Sequence, residues 1–243
     1  MDADTNLEIR SLIYGTNTPG ELPPGVVHVW QRSLSSLPSE VHACHELLSP
    51  DERERASRYR VERARSEFIL TRAALRSLLA AYLKRTPQDL VFQATQYGKP
   101  FLHGSDLSFN VSHTDGLALL GFVRRRQIGV DVEKIRPEPE ARKLAERFFS
   151  SAERRALQDF TGGELQAAFF RCWTRKEAYI KARGEGLSLP LDQFDVQVEA
   201  KAGWIDLATR PDPHEAGRWL LCDAQIIPGY TGALALSKDR DSH

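Results

Sequence analysis

Leu117-Ala118-Leu119-Leu120-Gly121-Phe122-Val123-Arg124-Arg125-Arg126-Gln127-Ile128-Gly129-Val130-Asp131-Val132-Glu133 is the stretch on which the reading of this chain turns. Its first seven residues are nearly all apolar and fit either a buried strand or a short helix, which periodicity alone does not separate. Its last six place β-branched residues alternately with Gly129, Asp131 and Glu133, which predicts a strand, ended by Pro137. Between them, Arg124-Arg125-Arg126 forms a basic turn that suits a junction between two units.

On the upstream side, residues 1–24 carry Thr5, Asn6, Gly15, Pro19, Gly20, Pro23 and Pro24 and read as an irregular lead-in. Gly25 to Trp30 predicts a strand. Ser49-Pro50-Asp51-Glu52 is a helix start, with an N-cap serine, proline at the first helical position and a glutamate at the third. A long helix is expected over Glu62 to Lys84, with Phe68, Leu75, Leu78, Leu79 and Tyr82 on one side. Strands follow at Leu90–Phe92 and Leu107–Val111, with Gly98-Lys99-Pro100 in the turn between them. Downstream, a helix over Ala141–Phe149 precedes a second Ser-x-x-Glu start at Ser150–Glu153. The longest helical signal there runs from Glu164 to Arg183 and stops at Gly184 and Gly186. The tail is β, at Phe194–Val198, Trp219–Ile227 and Ala233–Leu236. Helices and strands thus recur in the same rough order before and after Arg125, which predicts an α+β protein of two units, 25–125 and 126–243.

The 243 residues balance 33 Lys+Arg against 33 Asp+Glu, so the global basic excess of a general nucleic-acid coat is absent. With 41% hydrophobic and 27% charged residues the chain can build a core. Cys44, Cys172 and Cys222 have no paired spacing, which fits a reducing compartment without disulfides or a zinc knuckle. No apolar run approaches bilayer length, and Met1 to Gly25 lacks the basic-then-apolar pattern of a signal peptide. A soluble, cytoplasmic protein acting without nucleic acid or membrane is expected.

Chemistry concentrates in a few places. On a strand, Asp131 and Glu133 emerge on one face, and a hard cation with oxygen ligands relieves the repulsion between them. Trp173, Glu177 and Lys181, at i, i+4 and i+8 of the last long helix, stack a ring, a carboxylate and an ammonium along one side. Together with the strand pair they suit a magnesium–diphosphate site, the lysine neutralising remaining phosphate charge. Ser112 and His113 end a strand before Thr114-Asp115-Gly116, where hydroxyl, imidazole and backbone N–H groups can meet an anion; a Ser112-His113-Asp115 triad is the competing arrangement there. Arg53, Arg55, Arg58, Arg60, Arg63, Arg65 and Arg72 crowd the first helical region, as a solvated face or as partial phosphate ligands. Neither nucleotide-binding glycine pattern, G-x-x-x-x-G-K-[ST] or G-x-G-x-x-G, occurs.

In chain order, G-K-P at Gly98–Pro100, F-N-x-S-H at Phe109–His113, G-x-D-x-E at Gly129–Glu133 and W-x-x-K-E-x-x-x-K at Trp173–Lys181 closely resemble the 4′-phosphopantetheinyl transferases, of the larger monomeric type that activates surfactin synthetase and related carrier domains. The resemblance runs from about Leu48 to the last strands. It implies a pseudo-twofold pair of αβ halves, each a mostly antiparallel sheet packed with helices, with coenzyme A in the cleft between them. It implies Mg²⁺-dependent transfer of phosphopantetheine to a serine of an apo carrier protein, leaving adenosine 3′,5′-bisphosphate. By the matching motifs, Asp131, Glu133 and Glu177 surround Mg²⁺, and Lys181 and His113 meet the diphosphate. Ser112, Lys99, Pro100 and Arg55 hold other parts of coenzyme A, with the 3′-phosphate near Lys99 and Arg55. Asp131, Glu177 and Lys181 are the expected catalytic set, with Glu177 as general base. Glu52 departs from the pattern, standing where family members often have a basic residue. The rival readings are a metal-dependent phosphodiesterase and a non-catalytic coenzyme A- or carrier-binding module.

Overall fold

The computed structural model describes residues 7–238. The elements are β1 (Glu8–Ile13), β2 (Val26–Ser33), α1 (Pro38–His45), α2 (Pro50–Ser57), α3 (Glu62–Leu83), β3 (Phe92–Ala94), β4 (Pro100–Leu102), β5 (Leu107–Thr114), β6 (Leu117–Arg124), β7 (Ile128–Lys134), α4 (Ala141–Phe148), α5 (Ser151–Ala156), α6 (Gly162–Arg183), β8 (Phe194–Val196), β9 (Leu207–Thr209), β10 (Trp219–Asp223) and β11 (Tyr230–Ser237). They form a mixed four-stranded sheet ordered β1-β2-β6-β5 and an antiparallel three-stranded sheet ordered β10-β11-β7. The β3-β4 and β8-β9 ribbons complete an α+β fold.

Alternation along the strands explains the layering. Trp30, Phe109, Leu120 and Phe122 of the first sheet pack on Leu75, Leu78 and Leu79 of α3. The opposite face of that sheet, with Val27, Val29, Leu119 and Val123, packs on Ile128, Val130, Val132, Leu234 and Leu236 of the second. The far face of the second sheet, through Ala233 and Ala235, meets α6 at Ala178, Tyr179 and Ala182. The order across the molecule is therefore α3, sheet, sheet, α6. The Leu117–Val123 ambiguity resolves as a strand because β6 is a central strand, paired with β2 on one side and β5 on the other.

The lead-in is corrected in part: β1 runs parallel to β2, with Glu8 opposite Val26 and Ile13 opposite Gln31. Its own residues are mostly exposed, so the partner edge rather than a local pattern makes it a strand. Thr5 and Asn6 lie outside the described residues. Strand β9 is an addition for the same reason, paired with β8 over three residues, and helix α1 is an addition that packs Val41 and Cys44 on the core. The basic turn is held from within: Arg125 sits at φ 60, Arg124 donates to Leu22 O and pairs with Asp106, and Arg126 donates to Ser237 O.

Charges expected at helix starts turn out to be buried anchors. Glu52 accepts from the Ser49 N–H at 3.1 Å, and its two oxygens also take Arg72 and Arg76, the latter at 2.5 Å. The departure at this position thus pins α2 to α3. Glu153 accepts from the Ser150 N–H at 2.8 Å, the Val196 N–H at 2.8 Å and the Lys176 ammonium at 2.5 Å. Lys176 also donates to Phe194 O at 2.7 Å. Removing one member of such a pair strands a buried charge. Glu153→Ala is expected to cost about 3–5 kcal/mol, read as a lowered midpoint in urea unfolding with an unchanged slope.

Candidate active site

The site forms where β5, β7 and α6 cross. Asn110 Oδ1 accepts from the Val130 N–H at 2.9 Å, splicing β5 of one sheet to β7 of the other. On β7, residues 128, 130 and 132 face the seam, so Asp131 and Glu133 face α6. At Gly129 the helix touches the strand: a Cβ there would lie 2.1 Å from Ala178 O and 2.2 Å from Ala182 N. That contact brings Glu177 and Lys181 over the strand's carboxylates.

Asp131 is 4% exposed. Its Oδ1 accepts from Lys181 Nζ at 2.6 Å and from Ser112 Oγ at 2.7 Å, while Lys181 also donates to Ser112 Oγ at 3.0 Å. Its Oδ2 is buried without a hydrogen-bond partner among the described residues. Glu133 accepts from Thr114 Oγ1 at 3.1 Å and from Arg136, whose guanidinium carbon lies 4.9 Å from the Phe170 ring centroid. Burial first, then Asp131, pushes the Glu133 carboxyl above its usual range against the pull of Thr114 and Arg136. Burial likewise raises Glu177, reinforced by Asp131 and Glu133 and opposed by Lys181. The three carboxylates therefore feel one another, and among the described residues no three His, Cys, Asp or Glu side chains close up as a ready-made metal cage. An ion at this point needs oxygens from outside the protein as well.

A cavity of about 260 Å³ opens beside these groups, lined among others by Lys99, Pro100, Asn110, Glu177 and Lys181. A larger one, about 600 Å³, runs along Phe101–Phe109 and Arg125–Gln127 and contains none of the three carboxylates. Of the two, the smaller is the one lined by Glu177 and Lys181. Lys99 borders both, and its ammonium donates to Ile128 O and Ala182 O, each at 3.0 Å. His113 is exposed at the end of β5, one residue from buried Ser112; neighbouring atoms and Lys181 hold its imidazole below the usual pKa, with Glu67 opposing.

The triad is corrected: strand alternation turns Ser112 inward and His113 outward, and Asp115 is engaged by Arg63 and by Lys134 at 2.8 Å. The arginine crowd is mostly neutralised, with Arg53, Arg58, Arg63, Arg65 and Arg72 each paired to a glutamate. Arg55 is exposed, its guanidinium carbon 5.2 Å from the Phe68 ring centroid. The W-x-x-K-E-x-x-x-K motif divides in two. Trp173 packs against Phe148 edge-on, Phe149 and Phe169, and Lys176 pairs with Glu153, whereas Glu177 and Lys181 line the 260 Å³ cavity. Thr114 and Arg136 escaped sequence reasoning as partners of Glu133. For Arg136 the only signal is its i+3 spacing, and for Thr114 it is strand register across β5 and β7.

Two family models match the chain. One, described as the 4′-phosphopantetheinyl transferase superfamily, covers residues 127–222, and one described as 4′-phosphopantetheinyl transferase, N-terminal, covers residues 30–122. Among curated proteins, the chain is similar to the 4′-phosphopantetheinyl transferase HetI of Nostoc sp., with 39% identity over 198 residues, 76% of this chain and 83% of HetI. It is also similar to the 4′-phosphopantetheinyl transferase Sfp of Bacillus subtilis, with 31% identity over 188 residues, 77% of this chain and 81% of Sfp. No helix among the described residues is long and apolar enough to cross a membrane.

Proposed function

The chain belongs to the 4′-phosphopantetheinyl transferase superfamily, and from that membership and the cavity just described we infer a Mg²⁺-dependent transfer of the phosphopantetheine arm of coenzyme A to a serine of apo carrier proteins. Carrier-protein activation is the family's reaction, and this chain is such a transferase. The observation that carries the site assignment is that Asp131 accepts from both Ser112 and Lys181, and that Lys181 lines the 260 Å³ cavity together with Glu177.

The donor set fits magnesium. Asp131 Oδ2 is a buried acceptor with no donor among the described residues, and Glu133 and Glu177 are both driven toward protonation by burial and by their acidic neighbours. Asp131, Glu133 and Glu177 would hold a hard cation, which would supply the electrostatic stabilisation that phosphoryl transfer needs. Lys181, one turn beyond Glu177, donates to the diphosphate and offsets the charge that gathers as the bond to the leaving group breaks. His113 meets the same oxygens from the mouth, and Ser112 orients Asp131 and the bound substrate. Pro100 and the hairpin before it border the coenzyme A, and Arg55 is the residue proposed near its 3′-phosphate, the Lys99 ammonium being held by Ile128 O and Ala182 O. The carrier serine attacks the β-phosphorus, its proton passes to Glu177, and the phosphoanhydride bond to adenosine 3′,5′-bisphosphate breaks.

The two units, 25–125 and 126–243, are proposed as pseudo-twofold halves with the site in their cleft, working as a monomer. In support, α3 and α6 are each 22 residues long and each covers the outer face of one sheet.

Mass spectrometry of an apo carrier incubated with the protein, Mg²⁺ and coenzyme A is expected to give one phosphopantetheine adduct on serine. Release of phosphopantetheine with no carrier present, and no adduct with one, would instead identify a phosphodiesterase. Glu177→Gln is expected to lower turnover by roughly 10²-fold or more while leaving coenzyme A affinity within a few fold. The opposite ranking in steady-state kinetics removes Glu177 as the base.

A further inference from the structure

We propose that Lys99 is a positioning residue whose ammonium ties the C-terminal end of α6 to the first residue of β7, and so sets Lys181 and Glu177 over Asp131 and Glu133. The inference rests on the transfer reading above for its kinetic consequence, while the tie itself is independent of that reading.

A helix leaves its last carbonyls without backbone donors. At the end of α6, Gly184 takes the left-handed conformation at φ 74, and its N–H satisfies Ile180 O at 2.9 Å. Ala182 O is supplied instead by Lys99 Nζ at 3.0 Å, from a hairpin that precedes β7 in the chain. A cation there also meets the negative end of the helix dipole. The same ammonium donates to Ile128 O at 3.0 Å. Ile128 is the neighbour of Gly129, where strand and helix backbones touch, and Ala182 is the neighbour of Lys181. One ammonium thus links strand and helix from the side, next to the contact at Gly129.

The surroundings suit a fixed link. A Cβ on Gly184 would lie 3.1 Å from Lys99 Cδ, so the aliphatic stem is packed over the glycine cap. Burial pushes the Lys99 pKa down to about 8, which still leaves it charged at neutral pH. The hairpin belongs to the stretch matched by the N-terminal family model, and both acceptors belong to the stretch matched by the second. Lys99 is therefore a cross-strut between the halves whose cleft holds the chemistry. Its remaining proton is free to face ligand, but two of its three donors are committed to backbone.

The test uses the full-length protein, with Lys99→Met and Lys99→Arg, and compares coenzyme A with 3′-dephospho-coenzyme A as donors. A strut predicts that Lys99→Met lowers kcat about tenfold with both donors by the same factor, with KM within about threefold. Backbone amide exchange in the last turn of α6 and at the start of β7 is expected to accelerate. Lys99→Arg keeps the cation and guards against a folding failure. Its planar fork is a good phosphate ligand and a poor substitute for one point bridging two carbonyls, so a loss shared equally by both donors is expected again. A loss confined to coenzyme A, with full activity restored by arginine, would make Lys99 a 3′-phosphate ligand and overturn the proposal, as would unchanged exchange in both variants. A wild-type protein that transfers nothing from coenzyme A would sink the transfer reading alone, because the exchange measurement still decides the tie.

Discussion

Asp131→Ala is expected to abolish Mg²⁺-dependent carrier loading, with a loss on the order of 10³-fold or more, while the protein remains folded. Two features make this the largest expected effect on activity. Asp131 is the acceptor for both Lys181 and Ser112, so its removal frees the ammonium and the hydroxyl at once. It also presents a buried oxygen without a hydrogen-bond partner among the described residues, the atom proposed above to meet the cation. Stability is expected to fall by about 1–3 kcal/mol, because the buried Ser112 hydroxyl and the Lys181 ammonium lose their acceptor, offset in part by removal of a repulsive acidic neighbour of Glu133 and Glu177. Loading assays with a titration of Mg²⁺, run beside a thermal melt, check both halves of the expectation. Loading at the wild-type rate would remove the metal assignment, and a collapsed melt would show that Asp131 is structural.

The second large effect is expected at a residue with no side chain. In Gly129→Ala the new methyl would sit 2.1 Å from Ala178 O and 2.8 Å from Ala182 Cα, both backbone atoms that no rotamer change can move aside. The helix has to withdraw, and with it Glu177 and Lys181. A displacement of about 1 Å at reacting groups costs roughly 10²-fold in rate, so carrier loading should fall by at least that factor. Stability should fall too, because withdrawal opens the packing of Tyr179 and Ile180 in the core. Loading kinetics together with denaturant unfolding report the two losses. A variant with native turnover and native stability would show that the close contact does not set the site.

Much of the site was legible because its parts are short and local. Two carboxylates at i and i+2 share a face of any strand, and Glu177 and Lys181 at i and i+4 share a side of any helix. The partners that hold them were harder to read. Thr114 reaches Glu133, Asn110 reaches Val130 and Lys99 reaches Ala182, each across 19 to 83 residues of sequence. Glu52 and Glu153 read correctly as helix-start residues, yet their deeper role as counter-ions to Arg76 and Lys176 depends on which helix lies overhead. In the lead-in, β1 exists because an edge of β2 was available, and nothing in its six residues announces that edge.

Alternation, capping residues and glycine stops determined by themselves where most strands and helices run, and the ordered motifs determined the family. They act through contacts a few residues long, so they survive any arrangement of the rest. Tertiary structure alone decided that the two sheets pack back to back, that α6 comes down on β7 at a residue lacking a Cβ, and that one buried aspartate receives a lysine and a serine from two other elements. Those outcomes depend on which distant surfaces exclude water together, and burial of that kind is a property of pairs of segments that no single segment carries.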